Sequence, residues 1–528
     1  MIKKTSLLIC AAVAGTLCVS AQSAANKSFE EFRKGVLGRY DSFRSEVLSN
    51  YDKFLEGIWV EYDRFRAQER NPEPKPEQVP QADVKLPERP ADLPAPKLNR
   101  PAVEITVPKA PAEVDMPGYR PVSKFPDVSG IPQRRPDTSV ERPKDGRVKV
   151  DLPKQNVPQW ADEPADGYTF DFYGMPMVMP DVDVKLMNRL AGPSDYARQW
   201  RDLAKDDNSA ELVKGLTALA HKHNFNDYLT YDLARRYAAA RYSAENASAR
   251  TALVHYLMAN MGYDIRLGAT EEGAIVLLPC KQTVYGQAYL NIDGVKYYIF
   301  TDPEAPNAGK GTRISTCQLP SEASKAKRFD LALGRLLNLP YEGKAYSVKH
   351  GDLEIHGEVN ARLYPMLFRY PQMPVSDYAR SELMPELRAD VVSQLKKQLD
   401  GKPLDQAIDA LLLFVQNGFE YATDQQSHGF EKPYFFEETL FYPQCDCEDR
   451  AIFYSYLLWH VLGVENHMIN YPGHESASVL FPGDRKGDSY IYEGKRFLIS
   501  DPTYIGARTG MCMPNYRSVQ PEIDHIYK

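Results

Sequence analysis

Apolar and polar positions change rhythm along this chain. Over residues 29–65 the apolar positions recur every eleven residues. Phe29, Tyr40, Tyr51 and Tyr62 form one register, Phe32, Phe43, Phe54 and Phe65 a second, and Val36, Val47 and Ile58 a third. Eleven residues in three turns is about 3.67 per turn, so the stripe stays on one face of a helix. Acidic and basic residues fill the positions between. The pattern predicts a hendecad amphipathic helix of roughly 60 Å within a segment 22–70. Its aromatic face calls for self-association through residues 29–65, as a coiled coil.

Residues 71–160 lose that rhythm. About half of the 40 prolines fall there, interleaved with charged residues and valine. Proline fixes φ and lacks the amide donor, so neither helix nor central strand survives, and the stretch reads as an extended linker. From 161 the pattern is globular. Tyr168 to Val178 alternates like a strand, 183–240 has helical spacing and 274–301 reads as strands. A β-rich connecting segment is expected over 331–385, and 383–417 is again helical.

Two stretches share a plan. Ala252 to Leu257 leads to Gly262, strands, and Thr301-Asp302-Pro303; Ile452 to Leu457 leads to Gly463, strands, and Ser500-Asp501-Pro502. The glycines are 463 − 262 = 201 apart and the aspartates 501 − 302 = 199 apart. The chain therefore reads as a degenerate copy over 161–330 and an intact one over 386–528. At an offset of 201, Cys447 falls on Asn246, and no histidine lies between His255 and Asp302. The expected class is mixed α+β, each copy setting a helix on an antiparallel sheet.

Charge and cysteine usage narrow the class. A net charge of −7 lacks the basic field of a nucleic-acid binder. Lys3, Lys4, the apolar run Leu7 to Val19 and Val19-Ser20-Ala21 read as a signal peptide over 1–21. That predicts export to a periplasmic or extracellular location. No later stretch reaches about 18 uncharged apolar residues, so no transmembrane segment is expected in the mature chain. Seven cysteines less Cys10 and Cys18 leave Cys280, Cys317, Cys445, Cys447 and Cys512. An odd number in an oxidising compartment points to one thiol kept for reaction, with room for two disulfides.

The chemistry concentrates in Gln444-Cys445-Asp446-Cys447-Glu448-Asp449-Arg450, which runs into an apolar helix. A thiol at a helix N-terminus feels the positive end of the peptide dipoles, which favours thiolate. His474 follows 27 residues later at a strand start, and Asp501 another 27 on at a strand end. A nucleophile, a base and an orienting acid in that order make a Cys-His-Asp triad of Cys447, His474 and Asp501. The Cys447 N–H supplies part of an oxyanion hole, with Gln425, Gln426 or Tyr434 as candidate side-chain donors. Cys445 precedes the helix and lacks the dipole. Asp446, Glu448 and Asp449 crowd the thiol with negative charge, which calls for a compensating cation.

The set Asp446-Cys447-Glu448-Asp449-Arg450-Ala451, Gly473-His474 and Asp501-Pro502-Thr503 resembles the transglutaminase-like superfamily of cysteine peptidases and acyltransferases. The lead-in from Phe414 through Asp424 and Glu437-Glu438-Thr439-Leu440 is similar to that of exported bacterial members. The resemblance covers roughly 386–515. It implies a papain-like arrangement, with Cys447 as nucleophile, His474 as base and Asp501 as orienter. It departs after His474, where Glu475-Ser476-Ala477 stands in place of the Ala and aromatic residue of many members. Asp446 and Glu448 flanking the cysteine resemble calcium-dependent members, which implies a Ca²⁺ site at Asp446, Glu448 and Asp449. The expected function is an exported thiol peptidase or amidase acting on a protein or peptide through an acyl-enzyme. The alternatives are protein-glutamine acyl transfer and a non-catalytic envelope scaffold.

Overall fold

Helix caps and alternating apolar residues define the first elements. The structure, a computed structural model, describes residues 59–63, 81, 167–302, 308, 313–317, 326–334 and 336–528, all within the larger of two units, Trp59–Lys528. After strand β1 (Trp59–Asp63) come β2 (Tyr168–Phe172) and β3 (Met175–Met179), a hairpin that buries Phe170, Phe172, Met175 and Met177. Helix α1 (Pro193–Lys205) carries proline in its first turn, where no amide donor is needed. The Asp206 side chain caps α2 (Asp207–Lys222), and the Asn226 side chain caps α3 (Asp227–Arg241). Helix α4 (Ala247–Asn260) is buried without a break from Ala249 to Met258, as suits a central helix that is apolar all round. Five strands follow: β4 (Arg266–Thr270), β5 (Gly273–Pro279), β6 (Tyr289–Ile292), β7 (Val295–Thr301) and β8 (Arg313–Cys317).

The second half repeats this plan after an insertion. Strands β9 (Gly343–His350) and β10 (Leu353–Asn360) pair over all eight residues. Helices α5 (Tyr364–Leu367), α6 (Val375–Arg380), α7 (Pro385–Leu399) and α8 (Leu404–Gly418) lead to a short parallel ladder of β11 (Glu420–Tyr421) with β12 (Gln444–Cys445), enclosing α9 (Asp424–Ser427) and α10 (Phe436–Phe441). Helix α11 (Cys447–Leu462) is buried except at His460. It stops at Gly463, whose φ of 63° is the left-handed conformation that glycine adopts without strain. Strands β13 (Asn466–Tyr471), β14 (His474–Val479), β15 (Ser489–Tyr492), β16 (Lys495–Ile499) and β17 (Glu522–Tyr527) complete it.

The two sheets have one topology. The first runs β6-β7-β5-β4-β8 and the second β15-β16-β14-β13-β17, antiparallel throughout. Each follows a buried helix, α4 or α11. The protein is thus mixed α+β, with a helix-then-meander unit present twice. The helices begin 447 − 247 = 200 residues apart. The glycine spacing of 201 therefore misplaced one residue: Asn246 stands at the N-cap of α4 where Asp446 stands in α11, though only Asp446 forms a capping box, and Ala247 stands where Cys447 does. The cause is that α4 ends earlier, at Asn260, with Gly262 one position beyond its cap residue Met261.

Three other expectations change. Residues 59–63 are not helical: β1 pairs antiparallel with β8 and extends the first sheet. The run Trp59-Val60-Glu61-Tyr62 is rich in strand-forming residue types, and an open sheet edge outweighs the eleven-residue period there. That takes Tyr62 out of the helical stripe; the rest of 22–70 and the signal peptide over 1–21 lie outside the described residues. In the linker over 71–160 the described residue is Gln81, which bridges in parallel to Ile505 beside the second sheet. The hairpin of β9 and β10 packs on α7 and α8, so it belongs to the second lobe and is more than a connection. Among the described residues no helix is long and apolar enough to cross a membrane.

Candidate active site

Cys447 is the first residue of α11, and Asp446 caps it. The Asp449 carboxylate fixes this start, accepting from the Asp446 N–H at 3.1 Å and the Tyr434 N–H at 2.7 Å. Arg450, fully buried, donates to the carbonyls of Gln416 and Phe419 and ties the helix to the end of α8. His474 opens β14, one residue after the tight turn at Gly473. Asp501 follows β16. Its Oδ1 accepts from the N–H groups of Thr503 and Tyr504, and its carbonyl accepts from the buried Gln416 amide.

These elements bring the expected triad residues together. His474 Nε2 and Asp501 Oδ2 are 2.9 Å apart, both buried. The carboxylate thus fixes one ring nitrogen and leaves Nδ1 for a proton partner. The imidazole stacks on Tyr516 at 5.3 Å between centroids. The helix that Cys447 begins packs on the same strand, where the Glu475 backbone favours the thiolate. The thiol does not hydrogen-bond the imidazole. Its side-chain partner is Glu448 Oε2, at 3.1 Å. Burial, and then the charges of Glu448 and Asp446, push the thiol well above its ordinary pKa, so this arrangement holds it protonated.

The acids form a buried cluster larger than the three expected. Asp424, Glu431 and Glu448 bring carboxylate oxygens within 4.8 Å of one another, as do Asp424, Asp446 and Asp449. Burial, followed by repulsion from Asp449 and Glu448, raises Asp424. Burial, followed by Glu448, Asp424 and Asp449, raises Asp446. Asp446 Oδ1 and Glu448 Oε1 are buried with no hydrogen-bond donor. Oxygens so grouped, with two lacking donors, fit a hard divalent cation. Asp449 fits less well, because backbone N–H groups already engage both its oxygens. Asp424 lay in the lead-in segment without any sequence signal for this role, and Glu431 had none.

The side-chain oxyanion candidates are exposed or already engaged. Gln425 is exposed, and Gln426 Oε1 accepts from Thr423 N–H to cap α9. The Tyr434 hydroxyl bonds His428 Nε2. A further neighbour of Cys447 is Tyr421: it pairs with Cys445 in the β11–β12 ladder, and its hydroxyl lies within electrostatic reach of the thiol. Cys280, Cys445, Cys447 and Cys512 are all free thiols. Cys445 and Cys512 are not bonded to each other. Cys512 instead faces the Tyr471 hydroxyl, and burial pushes Cys445 up to about 11. His460 stacks on Tyr456 and His467 on Phe497, as structural residues do.

No family model, curated protein or solved structure matches the chain.

Proposed function

We propose that the chain is an exported thiol hydrolase, a peptidase or amidase of transglutaminase-like type whose second lobe follows the papain-like plan. The observation that carries this is the buried His474–Asp501 pair on the sheet against which the helix that begins at Cys447 packs. His474 Nδ1 takes the thiol proton, and the thiolate attacks the substrate carbonyl. The N–H at the helix start faces the oxyanion that forms. The imidazolium then protonates the leaving amine as the acyl-enzyme forms. Water, deprotonated by the same imidazole, releases the acid and restores the thiol. Asp501 holds the ring tautomer through both steps.

The thiol must first leave Glu448 for the imidazole. Asp424, Glu431 and Glu448 would hold a Ca²⁺ ion, with Asp446 beside Asp424, and the ion would supply positive charge that offsets this cluster. A Glu448 carboxylate so engaged would no longer accept from the Cys447 thiol.

Alkylation of the full-length protein with iodoacetamide, read by peptide mapping, tests the assignment. Cys447 is expected to label fastest in the presence of calcium, and His474→Ala to slow it. Faster labelling of Cys445, unchanged in Cys447→Ala, overturns the proposal.

A further inference from the structure

The acids around Cys447 fall into two sets, and only one has the spacing of a metal site. The second set lies on the sheet. Glu475 follows His474 on β14 and so points to the opposite face. It pairs directly with Asn470 on β13, and Asn470 pairs directly with Glu522 on β17. Directly opposed residues of antiparallel strands share a face, so Glu475, Asn470 and Glu522 form one row across three strands. Asp524 stands beside the row, at the register shift of β17 opposite Met468 and Ile469.

The row leads from solvent to the thiol. Glu522 is exposed, Asn470 and Asp524 are half-buried, and Glu475 is 3 % exposed. At the inner end Glu475 directly follows His474, and its backbone favours the Cys447 thiolate. Asn470 Nδ2 donates to Glu475 Oε2 at 3.0 Å, while Glu475 Oε1 is buried with no donor. Among the described residues no lysine or arginine forms an ion pair with Glu475, Glu522 or Asp524. Burial, then Asp524 and Glu448, raises Glu475 well above its usual value. Tyr285, from the loop between β5 and β6 of the first lobe, borders the same field, which Asp524, Asp377 and Glu475 impose on its hydroxyl. Its N–H is held by the Gln372 carbonyl at 3.0 Å.

We propose that this row binds a cationic side chain, an ammonium or guanidinium, of the polypeptide whose carbonyl meets Cys447. The inference rests on Cys447 being the nucleophile. A buried carboxylate oxygen without a donor is costly, and a charge-assisted hydrogen bond from substrate removes that cost. The row's shape favours a side chain over a second metal ion. Two steps across neighbouring strands span roughly 10 Å, the reach of a long flexible side chain. The Asn470 amide, a donor, interrupts the carboxylates at the middle. The groups with metal-ligand spacing among the described residues are the other set. The first lobe then has a part in specificity, because its Tyr285 borders the row.

Charged methanethiosulfonates test this without a known substrate. The 2-aminoethyl, 2-sulfonatoethyl and methyl reagents are compared on the full chain with calcium present, and the rate is read at the Cys447 peptide. The cationic reagent is expected to react about tenfold faster than the anionic one, corresponding to one favourable charge contact. Glu475→Gln should cut that ratio at least several-fold. Because Glu475 is buried, the double variant Glu522→Gln with Asp524→Asn, both solvent-accessible, provides a second arm that keeps the fold. Ratios, unlike single rates, are insensitive to a change in thiol pKa. Agmatine and butylammonium as protectants distinguish guanidinium from ammonium. A ratio unchanged in both variants, or protection by neither amine, overturns the proposal while leaving the nucleophile intact. If Cys447 resists even the neutral methyl reagent, the nucleophile assignment falls, and this inference with it.

Discussion

The two lobes put the same scaffold to different uses. In the second, Asp501 Oδ2 pairs with His474, and the backbone of the next residue, Glu475, favours the Cys447 thiolate. In the first, the equivalent aspartate is Asp302, and its partner is Arg250, which holds it with bonds of 2.8 and 3.1 Å. Gly273 opens β5 where His474 opens β14. The next N–H, of Ala274, goes to the Ser248 hydroxyl at 3.1 Å. The meeting of a strand backbone with a helix start persists, but thiol and imidazole are gone. A guanidinium cannot take a proton near neutral pH, so the Arg250–Asp302 pair is a structural strut. Nor is Gly273 ready for a histidine: its φ is +135°, and a Cβ there would stand 2.9 Å from Ser248 Oγ. The difference teaches that an aspartate after the fourth strand can serve either use, and that its partner decides whether it is placed for chemistry.

The sharpest break of this comparison is removal of Cys447, with Ser248 of the first lobe as its control. Cys447→Ala should lower turnover of any substrate by about a thousandfold or more, the scale on which triad members act. Ser248→Ala should leave turnover unchanged, since no imidazole faces it. Equal loss in both variants would mean that the first lobe shares the chemistry. The next effect is on stability. Arg250→Met removes the guanidinium that pairs with Asp302, which is 5 % exposed. Breaking a buried pair from one side costs about 3–5 kcal/mol, so thermal unfolding should show a marked drop in Tm. The double variant with Asp302→Asn should recover much of it. A single variant with wild-type Tm would remove the strut.

Much of this arrangement was legible in the chain. The helix start at Cys447 and the strand positions of His474 and Asp501 are local features, set by capping residues, apolar runs and turns, and they lie where the spacing put them. The duplication was visible because an apolar helix followed by alternating strands leaves a strong pattern. Three things were not legible. The register of the two helices differed by one, because a glycine after a helix marks its end only to within a residue or two. The Trp59–Asp63 strand depends on an open edge of β8, a partner some 250 residues away that periodicity cannot detect. Asp424, Glu431 and Glu475 join Cys447 only through the turns of α9 and the pairing of β13 with β14, so their roles needed the fold.

Acid sensitivity should be common to both lobes. His255 on α4 packs on Trp200 and His467 on β13 packs on Phe497, and burial lowers each to about 4. The unfolded value is near 6.5. The native state therefore binds fewer protons than the unfolded chain. These residues contribute stability above pH 6.5, and that stability is lost as the pH falls through about 4. Each tenfold loss of proton affinity on folding is worth roughly 1.4 kcal/mol. Tm should fall over that window, less steeply in His255→Phe or His467→Gln. An identical pH slope in both variants would show that these rings are protonated without cost.

The smallest expected effect, and the one that best separates the lobes, is calcium. At the start of α11 stand Asp446 and Glu448; at the matching positions of α4 stand Asn246 and Ser248, which bring no charge. The metal-spaced groups among the described residues all lie in the second lobe. A cation bound there stabilises the native state by RT ln(1 + [L]/Kd), about 2.7 kcal/mol when the ligand is a hundredfold above Kd. Chelation should therefore lower Tm by a few degrees and slow alkylation of Cys447 at neutral pH. Calcium should restore both. Asp424→Asn, which removes one carboxylate without touching the thiol, should lose much of the calcium response. Hydrogen exchange would place the effect: protection lost on chelation should map to 424–434 and the start of α11, with α4 unchanged. If chelator alters neither melting nor alkylation, the carboxylates at this helix start share protons instead of a cation, and the two lobes differ by their triad alone.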